Sequence, residues 1–359
     1  MPLGRCRPTG QNDFVTEGSP AYLVTGATGF LGRHVLQSLR REAPDARIVV
    51  LVRNLESWNA ESWTRGLGDV EVVTGRIFPE ATWKASPKLA KIQGIFHLAA
   101  EVKHSRAGTS DMVRTNVEGT LSMVRLAAEK KCRMIFVSTS GAVSCSTRPG
   151  EGVYEDAPWC ESVVRDWPYY ASKVRAEKEA RALSGELGVD LVIFRPPVLL
   201  GPEDHRYRST SNVLRVLRRR LPFIVNGGMH FVDVRDAADA MVRAMLLPNA
   251  RPVYHLAGTA STLDEFFRSV ARIDGLEPSW TILPARLVWY AARLNEMSGL
   301  RLHLLPDPVV IEMATHYWDI RSRHAETDLA FKSRPADQTI ADTVAWMRAN
   351  HPRLRVASV

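Results

Sequence analysis

Cysteine is scarce: only Cys6, Cys132, Cys145 and Cys160 occur among the 359 residues, and no two of them stand at the spacing of a metal-ligand set or a redox pair. That argues against a disulfide framework and a cysteine-bound metal, and it fits reduced thiols in a cytoplasmic setting. No run of about 18 apolar residues occurs, so no spanning helix is expected. Residues 1–20 are rich in glycine, proline and polar residues without periodicity. They lack the apolar core of a secretory signal and read as a disordered tail. The formal charge is +8, concentrated partly in Arg215, Arg218, Arg219 and Arg220. Without aromatic interleaving or a recognition motif, that cluster does not indicate nucleic-acid binding. It leaves a solvated face, or attraction to a CoA or carrier-protein phosphate or to an acidic membrane surface.

What is present is a repeated alternation of short apolar runs with helical patterns. Ala21 to Val24 reads as a buried strand and runs into Thr25-Gly26-Ala27-Thr28-Gly29-Phe30-Leu31-Gly32, followed by a helix from Arg33 to Arg41. Glycines three residues apart let the backbone turn sharply and bring free N–H groups at a helix N-terminus close to a pyrophosphate. Further strands are expected at Arg47 to Val52, Val70 to Val73, Gly94 to Leu98 and Cys132 to Val137, with a long helix from Asp111 to Lys130. The pattern predicts a doubly wound parallel sheet covered by helices on both faces, an α/β Rossmann fold. The length suits a sheet domain over residues 21–200 and a smaller substrate lobe over 201–359, with about 231–256 returning to the sheet domain.

Of the eight tyrosines, only Tyr169 is followed by a lysine four residues later, Lys173, on the same face of a helix that begins at Pro168. A tyrosine ionises near ~10, and a fixed cation beside it favours the phenolate. Ser138, Thr139 and Ser140 stand at the end of the fifth strand, the end at which such sheets bind ligands.

With the glycine motif, the strand-end hydroxyls and Tyr-x-x-x-Lys in this order, the chain resembles the extended short-chain dehydrogenase/reductase superfamily. Phe96-His97-Leu98-Ala99-Ala100, Arg114 to Thr120, Arg195-Pro196-Pro197-Val198-Leu199-Leu200-Gly201-Pro202 and Phe231 to Asp236 add to the match. The resemblance implies that Tyr169 is the general acid/base, that Lys173 lowers its pKa and binds the nicotinamide ribose, and that Ser140 holds the substrate oxygen. Ser138 and Thr139 are its neighbours and remain alternatives for that last role. A nicotinamide cofactor would then lie against Gly26, Thr28, Gly29, Phe30, Leu31, Gly32, Arg53, Leu98, Ala99, Ala100, Asn116, Ser138, Arg195, Pro196 and Val198, with no metal. Many relatives dimerise through the helices around Asp111 and Tyr169, so a homodimer is one expectation.

Two departures from the commonest pattern are informative. Arg53 ends the second strand, where an acidic residue would accept the ribose hydroxyl of NAD; a cation there suits the 2′-phosphate of NADPH, with Arg33 either assisting or solvated. Thr74-Gly75-Arg76 replaces the Gly-Asp that reads adenine in many relatives. Val52-Arg53-Asn54 and Glu101 to Ser105 look most like the dihydroflavonol reductase, cinnamoyl-CoA reductase and 3β-hydroxysteroid dehydrogenase group. The leading expectation is an NADPH-dependent carbonyl reductase, or the reverse alcohol oxidation, on a lipophilic aldehyde, ketone or sterol. An NAD-linked nucleotide-sugar epimerase or dehydratase and a non-catalytic NADP sensor are the alternatives. Substrate contacts are expected from Asp204 to Leu221, Asn226 to Phe231 and Ser279 to Tyr317, with Trp280, Trp289, Tyr290 and Trp318 lining the entrance and His104, His205 and His230 as possible pocket residues. Leu283 to Met297 reads as an apolar helix with arginines seven residues apart. It packs on the main domain, lines the substrate site or meets a membrane. Asp233 and Asp236 read as caps of a following helix.

Overall fold

The computed structural model describes residues 19–78, 82–150, 152–298 and 305–354; the expected tail over 1–20 lies almost wholly outside them. Six strands, β1 (Ala21–Thr25), β2 (Arg47–Val52), β3 (Val70–Thr74), β4 (Gly94–His97), β5 (Arg133–Val137) and β6 (Leu191–Arg195), appear where short apolar runs demand burial on both faces. A later strand, β10 (Val253–His255), joins them in a seven-stranded sheet of order β10-β6-β5-β4-β1-β2-β3. All its pairings are parallel. The chain leaves β1 for β2 on one side and returns to β4 on the other, so a crevice opens above the carboxyl ends of β1 and β4.

Helices cover both faces. On one, α1 (Phe30–Glu42) packs against α7 (Val234–Leu246) over Val24, Val50, Phe96 and Phe194. On the other, α3 (Ser110–Lys130) packs against α5 (Pro168–Leu187) over Leu23, Val49, Ile95 and Met134. Short helices α2 (Leu55–Ala60) and α4 (Glu161–Val164) lie in connections.

The smaller lobe has its own sheet, in which β7 (Val198–Leu200), β9 (Gly228–Asp233) and β11 (Thr259–Thr262) take the order β11-β9-β7. Beneath it α6 (Ser211–Leu217), α8 (Leu263–Ile273) and α12 (Ala336–Asn350) enclose Leu217, Phe231, Phe266, Val270 and Ile340. A two-residue ladder of β8 (Phe223–Ile224) with β12 (Thr281–Ile282) leads into α9 (Ala285–Ser298), which packs on α10 (Pro308–Ala314). The last helix of the sheet domain, α11 (Arg323–Leu329), rests on β10.

Two boundaries differ from expectation. Residues Val198 to Leu200 belong to the small sheet, because Val198 pairs with Phe231. The strand ending at Asp233 belongs there too, so the return to the main domain starts with α7 and includes α11 as well as β10. Asp233 caps α7 by accepting a hydrogen bond from the Arg235 N–H. No described helix is long and apolar enough to cross a membrane.

Candidate active site

The glycine loop lies in the crevice between β1 and β4, and two of its glycines are fixed by contact geometry. Gly26 has φ +73°, and a Cβ there would stand 2.7 Å from the Ala99 nitrogen. A Cβ on Gly32 would stand 2.2 Å from the Gly26 oxygen. The first glycine therefore lets the Leu98-Ala99-Ala100 segment seat on the loop, and the third lets α1 start tight against it. Thr25 ties the two strands together, accepting from the Ala99 N–H at 3.4 Å. Gly29 is the N-cap of α1, with no side chain capping the helix and no acidic residue in its first turn. Its N-terminal N–H groups remain open to an anion beside Thr28, Phe30 and Leu31. The residues present fit a dinucleotide.

Arg53 is exposed at the end of β2 and forms no ion pair or hydrogen bond among the described residues. Arg33 is neither solvated nor free to assist. It is buried, paired with Glu61 at 3.2 Å, and lies over the Trp63 ring at 4.3 Å. Trp83 packs over Gly75 and donates to the Arg76 carbonyl at 2.8 Å, so this stretch is shaped by an indole.

Lys173 reaches the carboxyl end of β5, and the helix that carries it and Tyr169 packs on the turn that begins at Ser140. Lys173 is buried and donates to the Val137 carbonyl at 2.5 Å, with its ammonium 4.5 Å from the centre of the Phe136 ring. Burial pulls its pKa down to about 7, against the opposing pull of Glu177. Burial also pushes the Tyr169 phenol up to about 12. The expected lowering of the phenol by the lysine is thus absent from this structure: the ammonium is directed to a carbonyl, and desolvation of the ring dominates. Tyr169 remains a protonated donor at neutral pH.

The hydroxyl alternatives are separated by their surroundings. Thr139 caps a short turn by accepting from the Gly141 N–H at 3.3 Å. Ser138 is buried near Glu177, close enough to favour that carboxylate but without a hydrogen bond of normal length. Ser140 is held through its own N–H to the Pro196 carbonyl at 2.9 Å, and its hydroxyl has no side-chain partner among the described residues. Neither the Ser138 nor the Ser140 hydroxyl has a hydrogen-bond partner among the described residues, so both remain available to a ligand.

Asn116 and Arg195 have internal tasks. The Asn116 amide accepts from the Glu101 N–H at 2.8 Å and donates to the Glu101 carbonyl and to Ser172, each at 3.0 Å. Ser172 in turn donates to the Tyr169 carbonyl at 2.6 Å, so Asn116 pins the β4–α3 loop to the tyrosine helix. The Arg195 guanidinium is buried against Glu177, the Glu155 carbonyl and His255. Burial pushes the Glu177 carboxyl up, but Arg195 and the Trp159 N–H hold it below its ordinary value overall. Only the backbone around Arg195 and Pro196 remains to face the crevice, and Val198 is exposed at the start of β7.

Sequence reasoning missed Glu177 and His97. Glu177 lies four residues beyond Lys173, so Tyr169, Lys173 and Glu177 form one helix stripe, a legible signal. His97 is buried between Thr25 at 2.9 Å and Thr120 at 3.1 Å, with its pKa pulled to about 3 by burial and by Lys173. It is a neutral strut.

An aromatic wall adjoins Tyr169. His104 meets its ring edge at 5.7 Å, Tyr170 lies at 5.2 Å, and Trp318 stacks on Tyr170 at 5.0 Å. Trp167 packs against Tyr170 and donates to Glu312 at 3.0 Å; Glu312 also accepts from Trp289 at 2.7 Å and pairs with Arg106 at 2.7 Å. One carboxylate thus joins the β4–α3 loop to α9 and α10. Other expected pocket residues lie elsewhere. His230 is buried, bonded to the Trp318 carbonyl and the Gly258 N–H, and burial pulls it to about 4. His205 packs on Trp346, and Trp280 packs on Phe267 and donates to Asp264. Ser279 to Tyr317 includes residues 299–304, which lie outside the described residues.

Comparison with known proteins shows the family and the fold. The model of the NAD dependent epimerase/dehydratase family matches residues 22–257. A Synechocystis protein provisionally named a dihydroflavonol 4-reductase is 26% identical over 92% of this chain and 95% of its own length. Rice cinnamoyl-CoA reductase 1 is 28% identical over 70% of this chain and 75% of its own. Among solved structures, gox2253 has a TM-score of 0.77 at 27% identity, covering 94% of this chain and all (100%) of its own.

Proposed function

The chain belongs to the NAD-dependent epimerase/dehydratase family of extended short-chain dehydrogenases/reductases, and from that premise we propose that it is an NADPH-dependent carbonyl reductase for a lipophilic aldehyde or ketone. The observation that carries the reading is a protonated Tyr169, on the helix that packs against the Ser140 turn, beside a wall of Tyr170, Trp167 and Trp318. The similarity to reductases supports the direction. Arg53, unpaired at the ribose-reading end of β2, supports NADPH.

The glycine loop would hold a reduced nicotinamide, whose chemistry when bound would be to supply a hydride to a carbonyl carbon. Ser140 donates a hydrogen bond to the carbonyl oxygen as negative charge grows there. Tyr169 gives its phenolic proton to that oxygen, so the substrate leaves as an alcohol and the tyrosine as phenolate. Lys173 stabilises the phenolate by its charge, which requires its ammonium to turn from the Val137 carbonyl toward the ring. Asn116 and Ser172 hold the Tyr169 backbone in place.

The test is a screen of NADPH oxidation with lipophilic aldehydes and ketones, repeated with sterols and with UDP- and dTDP-sugars. Substrate-dependent loss of nicotinamide absorbance with a carbonyl compound supports the reading. Turnover of a nucleotide sugar without net absorbance change would replace it with an epimerase or dehydratase.

A further inference from the structure

The outer side of the small lobe carries an apolar stripe that no other described residue covers. Helix α9 turns Val288 and Ala292 inward, onto Val225 and Ile311. On its opposite side Leu287, Tyr290, Leu294 and Met297 are 67%, 61%, 66% and 73% exposed. At 100° per residue these four fall within an arc of about 80°, which makes a continuous strip along a helix some 20 Å long. Ile282 and Leu283 extend the strip at its N-terminal end, and both are exposed. A helix apolar on both sides hides one in the core and leaves the other facing outward.

The charges around the strip are mostly positive. Arg286 and Arg293 run along its edge, and of these only Arg293 has a partner, the exposed Glu296. The ladder behind α9 brings in the arginine cluster. Arg218, Arg219 and Arg220 directly precede β8, which pairs with β12, and the Thr281 N–H donates to the Pro222 carbonyl at 3.1 Å. The ladder thus brings the chain just after Arg220 alongside the chain that enters α9. Arg215, Arg219 and Arg220 are exposed, and none of the four forms an ion pair among the described residues. Desolvation, with Arg220 and Arg353 nearby, lowers the pKa of Arg218. An excess of cations beside an exposed apolar strip matches the surface of an anionic bilayer: arginines reach phosphate and carboxylate headgroups while leucine, tyrosine and methionine enter the acyl boundary.

We propose that the protein docks on anionic membrane surfaces through the apolar strip of α9 and the arginines of the turn before β8. The docking stands independently of the reaction. It also has a geometric consequence for a lipophilic ligand: an open cavity of about 280 Å³ between α9 and α10, lined by Trp289, Tyr290, Ile311 and Glu312, borders the strip. Glu312 joins it to Trp167, beside Tyr170.

The test is co-sedimentation of the full chain with vesicles of phosphatidylcholine alone or mixed with phosphatidylserine. Binding should need phosphatidylserine and fall steeply with added salt. Arg219→Gln with Arg220→Gln should weaken the partition about thirtyfold. Leu287→Glu with Leu294→Glu should abolish it, and glutamate preserves the helix. Circular dichroism and nucleotide affinity check that each variant is folded; were the apolar variant unfolded, salt dependence and the arginine variant would decide. No sedimentation at low salt, or equal binding to both vesicle types, overturns the proposal. So does a solution dimer that Leu287→Glu with Leu294→Glu splits, since a second copy would then cover the strip.

Discussion

Replacing Lys173 with methionine should make the protein more stable while removing its activity. The lysine is buried, and its pKa of about 7 lies well below the ordinary 10.5. Between pH 10.5 and 7 the unfolded chain takes up a proton that the folded chain does not. Stability is therefore lost as pH falls through that window and is flat below it. The full gap corresponds to an upper bound of about 5 kcal/mol of destabilisation at pH below 7. Methionine fills a similar unbranched volume and leaves the Val137 carbonyl without this donor, which takes back about 1 kcal/mol. With further relaxation of the buried charge, a net gain of roughly 3 kcal/mol remains, or about 4 °C in melting temperature for a chain of this size. The assay is thermal unfolding of nucleotide-free protein by circular dichroism, from about pH 6 to about pH 10. The Lys173→Met advantage should be largest near pH 6 and shrink toward pH 10. A variant that melts at or below the parent at pH 6, or one whose advantage is the same at every pH, would refute the reasoning. Activity should fall in the same variant, placing the lysine among residues retained for function against stability.

Three other outcomes are expected. Tyr169→Phe should remove most turnover and leave nucleotide affinity nearly unchanged, because only the proton donor is lost; near-native turnover in steady-state assays would end the proposed mechanism. Arg53→Asp should narrow or reverse a preference for NADPH over NADH worth roughly 1.5 to 3 kcal/mol, about one to two decades in affinity, and equal affinities in the parent, by titration at fixed salt, would remove the case for NADPH. Gly32→Ala places a Cβ 2.2 Å from the Gly26 oxygen and 2.8 Å from the Ala27 Cα; since both obstacles are backbone, nucleotide binding should fall at least tenfold, and isothermal titration with an unchanged constant would show that the loop has room.

The local features of this chain were legible because local rules produce them. Strands β1, β2 and β4 read as short apolar runs since each is buried on both faces. The glycine spacing and the four-residue step from Tyr169 to Lys173 are set by backbone and helix geometry alone. Ordered along the chain, these were enough for the parallel fold and for placing Lys173 at the end of the fifth strand. What only the tertiary structure decided concerns partners distant in sequence. The Arg195 guanidinium meets Glu177 and His255, Arg33 meets Glu61, and Trp318 crosses from the end of the lobe to cover Tyr170. Whether a lysine lowers a tyrosine's pKa depends on where its ammonium points and how dry the site is, and here a carbonyl at 2.5 Å and burial reverse the expectation. Sequence spacing fixes which side chains share a face. The solvent excluded around them, and the charge that arrives from another part of the chain, are settled only when the whole fold closes.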